Sequence, residues 1–436
     1  MDFCSNLYKK VIEKERRKFM GLMLDLKKTI ESDEKNFGKE NVPFMHKSDF
    51  QVFDYLNGQL DYSKNGEPIF NVGIDAGKSI MVVGKPGSGK STFAYQYAYS
   101  IMKKYKESTM YIMDFENAFK ESRFKAITGC DSQYYKDHVA VKSVKIYTET
   151  VLKLVMQIAQ FKTSPDIEKQ LLVENAEGIV DENGELVKIL PPTFIIVDSL
   201  ALMRTKDFQE AGKNHDEFNG LTSGGRNAIV NKELMARIIQ PCQEANIIVI
   251  FINHVNTNMS MGVTPAVSTT RFLSNTKSVS GGTAVQYSVN LFIEIEAKDK
   301  LDKDDKYGIK GFKTNINIIK SRNSSAGIST TMIFNQEEGF DEDLSMFELL
   351  YNNKKICGAG VGMYLPGLET KKFRMSTFKE KLKDPEFKAV WDALCKETLE
   401  EFVKSNGSSK LFRKMSEDGE VVYNNDEEMP AEDLEQ

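Results

Sequence analysis

Residues 84–91 read GKPGSGKS, the pattern G-x-x-x-x-G-K-[ST], and fall between the apolar run 80–83 and the helix-forming stretch TFAYQYAYSIMKKY. The flanks give the motif its weight, because a strand that enters a glycine-rich turn and leaves as a helix aims backbone N–H groups at phosphate. Gly84, Gly87 and Gly89 permit backbone angles and a close approach that side chains block. Lys85, Pro86 and Ser88 complete the cradle, and Lys90 is placed to reach the outer phosphates. Ser91 and its hydroxyl-bearing neighbour Thr92 stand at the helix start, Ser91 being the better ligand for Mg2+.

Four further apolar runs, TMYIMDFE, PTFIIVDSLAL, NIIVIFINHV and VNLFIEIE, alternate with helical stretches up to about residue 333. Runs rich in Val, Ile and Phe suit strands covered on both faces, so an α/β fold with a mostly parallel sheet is expected. Asp198 closes the second of these runs and is expected at a strand's carboxyl end, where it holds Mg2+ through water. Asp114 and Glu116 close the first, two residues apart and so on one side; one of them can polarise a water for attack on a terminal phosphate, and Asp114 is the better candidate for a mere turn or cap.

With 436 residues, 41% hydrophobic and 28% charged, the chain is too apolar for a disordered protein, and no apolar run is long enough to span a membrane. Its opening has no secretory pattern, and five scattered cysteines without CxxC spacing fit reduced thiols, so a cytoplasmic setting is expected. The net charge of −5 is uneven: residues 416–436 hold nine acids and no Lys or Arg, leaving 58 cations against 54 acids in the rest. That tail reads either as a disordered solubiliser or as a competitor for an anion-binding surface.

Composition divides the chain into an N-terminal helical segment (1–40), a core (41–339) with a hairpin inserted at about 163–192, a small α+β lobe (340–415) and the acidic tail (416–436). The stripe Val11, Ile12, Phe19, Leu22, Met23, Leu26 and Ile30 has helical spacing and suits either an adjacent subunit or the chain's own body. Two polar stretches, 204–226 and 256–282, exceed ordinary loop lengths.

The order GKPGSGKS, MDFENAF, IIVDSLAL, IIVIFINHV, SGGTAV and IIKSRNSSAG resembles bacterial RecA and phage-encoded recombinases, from about residue 37 to about residue 387. The resemblance implies a RecA-like P-loop NTPase core, with ATP and Mg2+ as cofactors and hydrolysis of ATP that depends on DNA. It implies that Glu116 activates the attacking water, and that His254, where the bacterial members carry Gln, senses the terminal phosphate. It further implies that Lys320 and Arg322 complete the site of a neighbouring subunit. The two long polar stretches resemble the family's DNA loops, which makes Arg226, Met259, Arg271, Phe272, Lys277, Gly281 and Gly282 candidate DNA contacts. Small polar groups and backbone amides hold phosphates there, and apolar side chains wedge between bases.

The implied partners are single-stranded DNA, homologous duplex DNA, further copies in a helical filament, and single-strand-binding and mediator proteins, with no membrane. The implied setting is the nucleoid of a bacterial or phage-infected cell. Lys120 departs from the family, standing where an acid usually borders the adenine. Two rival readings share the phosphate loop: a hexameric helicase or related motor, and a DNA-coating scaffold with little turnover.

Overall fold

The computed structural model describes residues 44–406, apart from 64–65, 181–182, 208–219, 258–271, 274–276, 280–282 and 305–306. Its main sheet has ten strands: β1 (Ser79–Gly84), β2 (Thr109–Asp114), β3 (Val139–Lys142), β4 (Thr193–Asp198), β5 (Ile247–Thr257), β6 (Lys277–Val279), β7 (Leu291–Leu301), β8 (Gly311–Ser321), β9 (Ser329–Asn335) and β10 (Gly339–Asp341). They lie in the order β10-β9-β8-β7-β1-β5-β4-β2-β3, with β6 added to β5. Pairing is parallel from β7 through β1, β5, β4 and β2 to β3, and antiparallel from β7 outward to β10 and between β5 and β6.

Every residue of β1 and of β4 is buried, because both faces of the central strands are covered. Alternation then divides the core in two. Ile80, Val82, Phe194, Ile196 and Ile250 face a layer that includes helix α1 (Lys90–Met102), whose Phe93, Ala94, Tyr97, Ala98 and Ile101 recur at helical spacing. Met81, Val83, Ile195, Val197 and Phe251 face helices α2 (Thr148–Lys162) and α3 (Gly220–Glu244), which contribute Val151, Val155, Leu234 and Ile238.

The α/β architecture expected from the sequence is therefore present. The segment 163–192 forms a helix (Pro165–Leu171) and a short antiparallel pair, Val173–Glu174 with Lys188–Ile189. Asn175 closes the loop between them, its Nδ2 donating to the carbonyls of Ile179 and Val187 at 2.7 and 2.9 Å.

The composition shift after residue 339 is no break in packing. The ring of Phe340 meets Phe334 at 5.2 Å and Phe93 at 5.6 Å, so the aromatic core of the sheet runs on through Phe347, Phe378 and Trp391. Helices α4 (Glu342–Asn352) and α5 (Pro385–Asn406) bury their apolar sides in that same cluster. The described residues from Met45 onward belong to one compact unit. The expected N-terminal helix and acidic tail lie outside the described residues. No helix among the described residues is long and apolar enough to cross a membrane.

A buried carboxyl braces this core. Asp54, on the short helix Gln51–Leu56, accepts from Ser48 N at 2.5 Å, Ser48 Oγ at 3.0 Å and Tyr97 Oη at 3.1 Å. Burial pushes its pKa up to about 7, against the hydrogen bonds from Ser48 and Tyr97. The folded chain thus keeps a proton that the unfolded chain releases near 3.8, and stability is lost as pH rises from there through about 7. Glu342, half-buried beside it and raised in the same direction by burial of its carboxyl, adds to the slope. Asp54→Asn is expected to flatten the dependence of melting temperature on pH between about 4 and 7; a slope equal to wild type would contradict the assignment.

Candidate nucleotide site

The parallel strands end in register. Gly84 lies opposite His254, and Asp198 opposite both Asp114 and Ile252, so three polar residues, Asp114, Asp198 and His254, line the carboxyl edge of one sheet together with Gly84. In an open α/β sheet that edge is the crevice in which ligands bind.

Gly84 opens the loop where no side chain fits: a Cβ there would lie 2.3 Å from the carbonyl oxygen of Ile295 and 2.6 Å from Ser88 Oγ. Gly87 and Gly89 adopt φ of +75° and +91°, and Gly89 rests on the rings of Phe334 and Phe340. Lys85, Pro86 and Gly87 form the exposed tip, and Ser88 is buried beneath it. Lys90 is buried at the helix start, and its Nζ donates to the carbonyl of Lys85 at 2.8 Å. Burial lowers the pKa of this ammonium, opposed by the charges of Asp198 and Glu116. A partly desolvated cation inside a glycine loop is well placed to meet phosphate oxygens.

Ser91 Oγ donates to Asp198 Oδ2 at 2.6 Å, and Tyr95, one helical turn further along α1, brings its hydroxyl to 3.5 Å from the same oxygen. Thr92 is half-buried alongside. Burial pushes the Asp198 carboxyl up, opposed by the Ser91 hydrogen bond, while the charges of Glu116 and Asp114 push the same way as burial. A hydroxyl and a carboxylate in contact, amid surplus negative charge, fit Mg2+, which takes few protein ligands and completes its shell with phosphate and water. Ser91 and Asp198 would hold it.

The two carboxylates at the end of β2 do not share a side, in contrast to the expectation from their spacing. The strand stops at Asp114 and the chain turns, with Asn117 at φ +55°. Asp114 is buried and accepts from the N–H groups of Ala118 and Phe119 at 3.2 and 2.9 Å and from Ser143 Oγ at 3.2 Å, so it holds the turn together. The N–H groups of Phe115 and Glu116 donate to the Asp198 carbonyl at 2.6 and 3.2 Å, which directs Glu116 toward the crevice. There its Oε1 accepts from His254 Nε2 at 2.7 Å. Burial disfavours the charged form of Glu116, yet the His254 hydrogen bond and the nearby cations outweigh it and hold the carboxyl below its ordinary pKa. Neither this bond nor the Tyr95 contact can be read from motif spacing.

Lys320 and Arg322 lie elsewhere. Lys320 pairs with Phe292, which pairs with Met81, so both cations sit at the amino edge of the parallel strands, roughly 10 Å along the strand from Gly84. Lys320 Nζ donates to the carbonyls of Gln286 at 3.3 Å, Val289 at 2.8 Å and Tyr287, at the end of the helix Thr283–Ser288. Burial, with Arg322 beside it, lowers its pKa to about 8. Arg322 is exposed.

Of the candidate DNA contacts, Met259, Arg271, Gly281 and Gly282 lie outside the described residues, and Arg226 falls in α3 with its side chain outside them. Phe272 is 45% exposed and lies so close to Gly327, in the β8–β9 turn, that a Cβ there would come within 2.6 Å of its ring. Lys277 is paired with acids of β7. Lys120 is exposed at the start of the helix Glu121–Thr128, and Arg123 Nη1 donates to the Glu337 carbonyl at 2.8 Å.

The strand order, the glycine loop and the Asp198 strand are consistent with a RecA-like P-loop core. The KaiC-type ATPase family model matches residues 66–221. The chain is similar to the plasmid-encoded RecA protein of Lactococcus lactis subsp. lactis, with 23% identity over 199 residues, 42% of this chain and 52% of that protein. The match thus spans about half the length of that relative. Lys90→Ala is expected to weaken binding of a fluorescent ATP analogue by about 100-fold, through loss of its buried charge-assisted contact; retained affinity would place the phosphates elsewhere.

Proposed function

We propose that the protein is an ATP-dependent recombinase that assembles as filaments on single-stranded DNA, pairs them with homologous duplex DNA and exchanges strands. The observation that supports this best is the 2.7 Å bond between Glu116 and His254. It joins the carboxylate best placed to orient a water to strand β5, whose last residues begin the stretch 256–282 that resembles a DNA loop. A terminal phosphate arriving beside Gly84 competes for the same imidazole, so nucleotide occupancy and the start of that segment share one hydrogen-bond donor.

In this reading the Gly84–Ser91 loop and Lys90 bind the phosphates, and Glu116 orients the attacking water. Bound Mg2+ supplies charge neutralisation to the outer phosphates. Lys320 and Arg322, at the far edge of their own sheet, serve the site of a second copy, so hydrolysis requires assembly. The similarity to a RecA protein favours filaments over the closed ring of a helicase.

Glu116→Gln is expected to keep nucleotide binding and lower hydrolysis by about 100-fold. Mixing it with Lys320→Ala, itself impaired in DNA-stimulated hydrolysis, restores roughly a quarter of the wild-type rate, the statistical share of interfaces that pair an intact Glu116 with an intact Lys320. Recovery of no activity would overturn the assignment in trans. Electron microscopy with single-stranded DNA and a non-hydrolysable ATP analogue checks the whole reading: helical filaments support it, whereas closed rings or monomers refute it.

A further inference from the structure

We infer that Lys277 is not a contact to DNA phosphate but the buried ionic anchor of the segment returning from 258–276, with Glu294 as its partner. The inference rests on the proposed binding of single strands and adds a positioning pair to it.

The chain leaves the sheet at the end of β5 and comes back as β6, where Thr257 pairs with Lys277, Asn256 with Ser278 and Val255 with Val279. Lys277 therefore stands at the first rung of the returning arm. Its Nζ meets Glu294 Oε1 at 2.5 Å and Glu296 Oε1 at 3.4 Å, with side chains only 16% exposed for Lys277 and 6% for Glu294. Asn317 Nδ2 lies 3.5 Å from the second oxygen of Glu294, and Lys298 occupies the second oxygen of Glu296 at 2.8 Å. Burial works against the Lys277 charge, and the Glu294 bond more than restores it. A cation held this way is costly to withdraw, because either partner left alone is a buried charge without compensation.

The place of the pair matters as much as its strength. Glu294 lies opposite Val83, one residue before the phosphate loop, while His254 lies opposite Gly84 on the other side of β1. Strand β6, paired with the end of β5, is thus joined through Lys277 to the strand on the far side of β1. Two more described residues fix it: Phe272 rests on Gly327, and Leu273 is buried in the core. The returning arm is a strut clamped to β7, whose position is set by the same sheet edge that holds the nucleotide.

The test uses the full-length protein, a labelled oligothymidylate and a non-hydrolysable ATP analogue, with affinity measured over a range of salt. Lys277→Met and Glu294→Gln are each expected to weaken strand binding by on the order of tenfold, the double variant no further than either alone, with an unchanged slope of log K against log salt. If Lys277 instead touches a phosphate, Lys277→Met lowers that slope by about one while Glu294→Gln leaves or improves affinity, and the inference falls. Thermal melts without DNA separate this result from failure of the recombinase reading. The anchor predicts that the two single losses in melting temperature resemble each other and do not add, whether or not the protein binds a strand; additive losses would overturn it.

Discussion

The in-register parallel pairing of β1 with β5, β5 with β4 and β4 with β2 is the constraint on which the remaining chemistry depends. The pairing sets Gly84 opposite His254 and Asp198 opposite Asp114 and Ile252, so that the beginning of the phosphate loop, the acid of β4 and the histidine of β5 share one edge. Slipping any strand by one residue would turn its side chains to the opposite face and bury a charge against one of two apolar layers. The register is therefore held by the core, through Ile80, Val82, Phe194, Ile196 and Ile250 on one face and Met81, Val197 and Phe251 on the other, and the site inherits its alignment.

From that edge the polar groups form a chain of contacts. Lys90 is tied to the carbonyl of Lys85, Ser91 to Asp198, the backbone of Glu116 to the carbonyl of Asp198, and the carboxylate of Glu116 to His254. Asp198 thus takes part twice, through its side chain toward α1 and through its main chain toward the turn after β2. A change at the phosphate loop reaches β5 through three hydrogen bonds, without requiring movement of the apolar layers.

Contiguous features were legible in the sequence. The strand, glycine turn and helix around residue 84 stand together in the chain, and the apolar runs that make β1, β2, β4 and β5 are uninterrupted because both their faces are covered. Contacts between distant segments were not legible. His254 and Glu116 are 138 residues apart, and nothing local to either names the other. The run VNLFIEIE is legible as a strand, but nothing local to it shows that Glu294 is buried against Lys277. Spacing put Asp114 and Glu116 on one side with Asp114 the better candidate for a turn residue; that turn role holds, while their separation arises because the chain turns after Asp114. The apparent boundary near residue 340 reflects a change in composition, while the aromatic rings on either side of it pack as one group.

Lys320 and Arg322 occupy the sheet edge opposite the glycine loop of their own chain. In the proposed assembly, a protomer with its socket at one pole and its cations at the other would contact its neighbours through two unlike surfaces, an arrangement that yields an open series unless its rotation happens to close. The two tips of such a series differ in kind: one exposes a pocket lacking its outside charges, and the other exposes charges lacking a pocket. Under that proposal, arrival and departure of protomers at the two tips would have different requirements for triphosphate, giving such a polymer a direction before any strand is engaged.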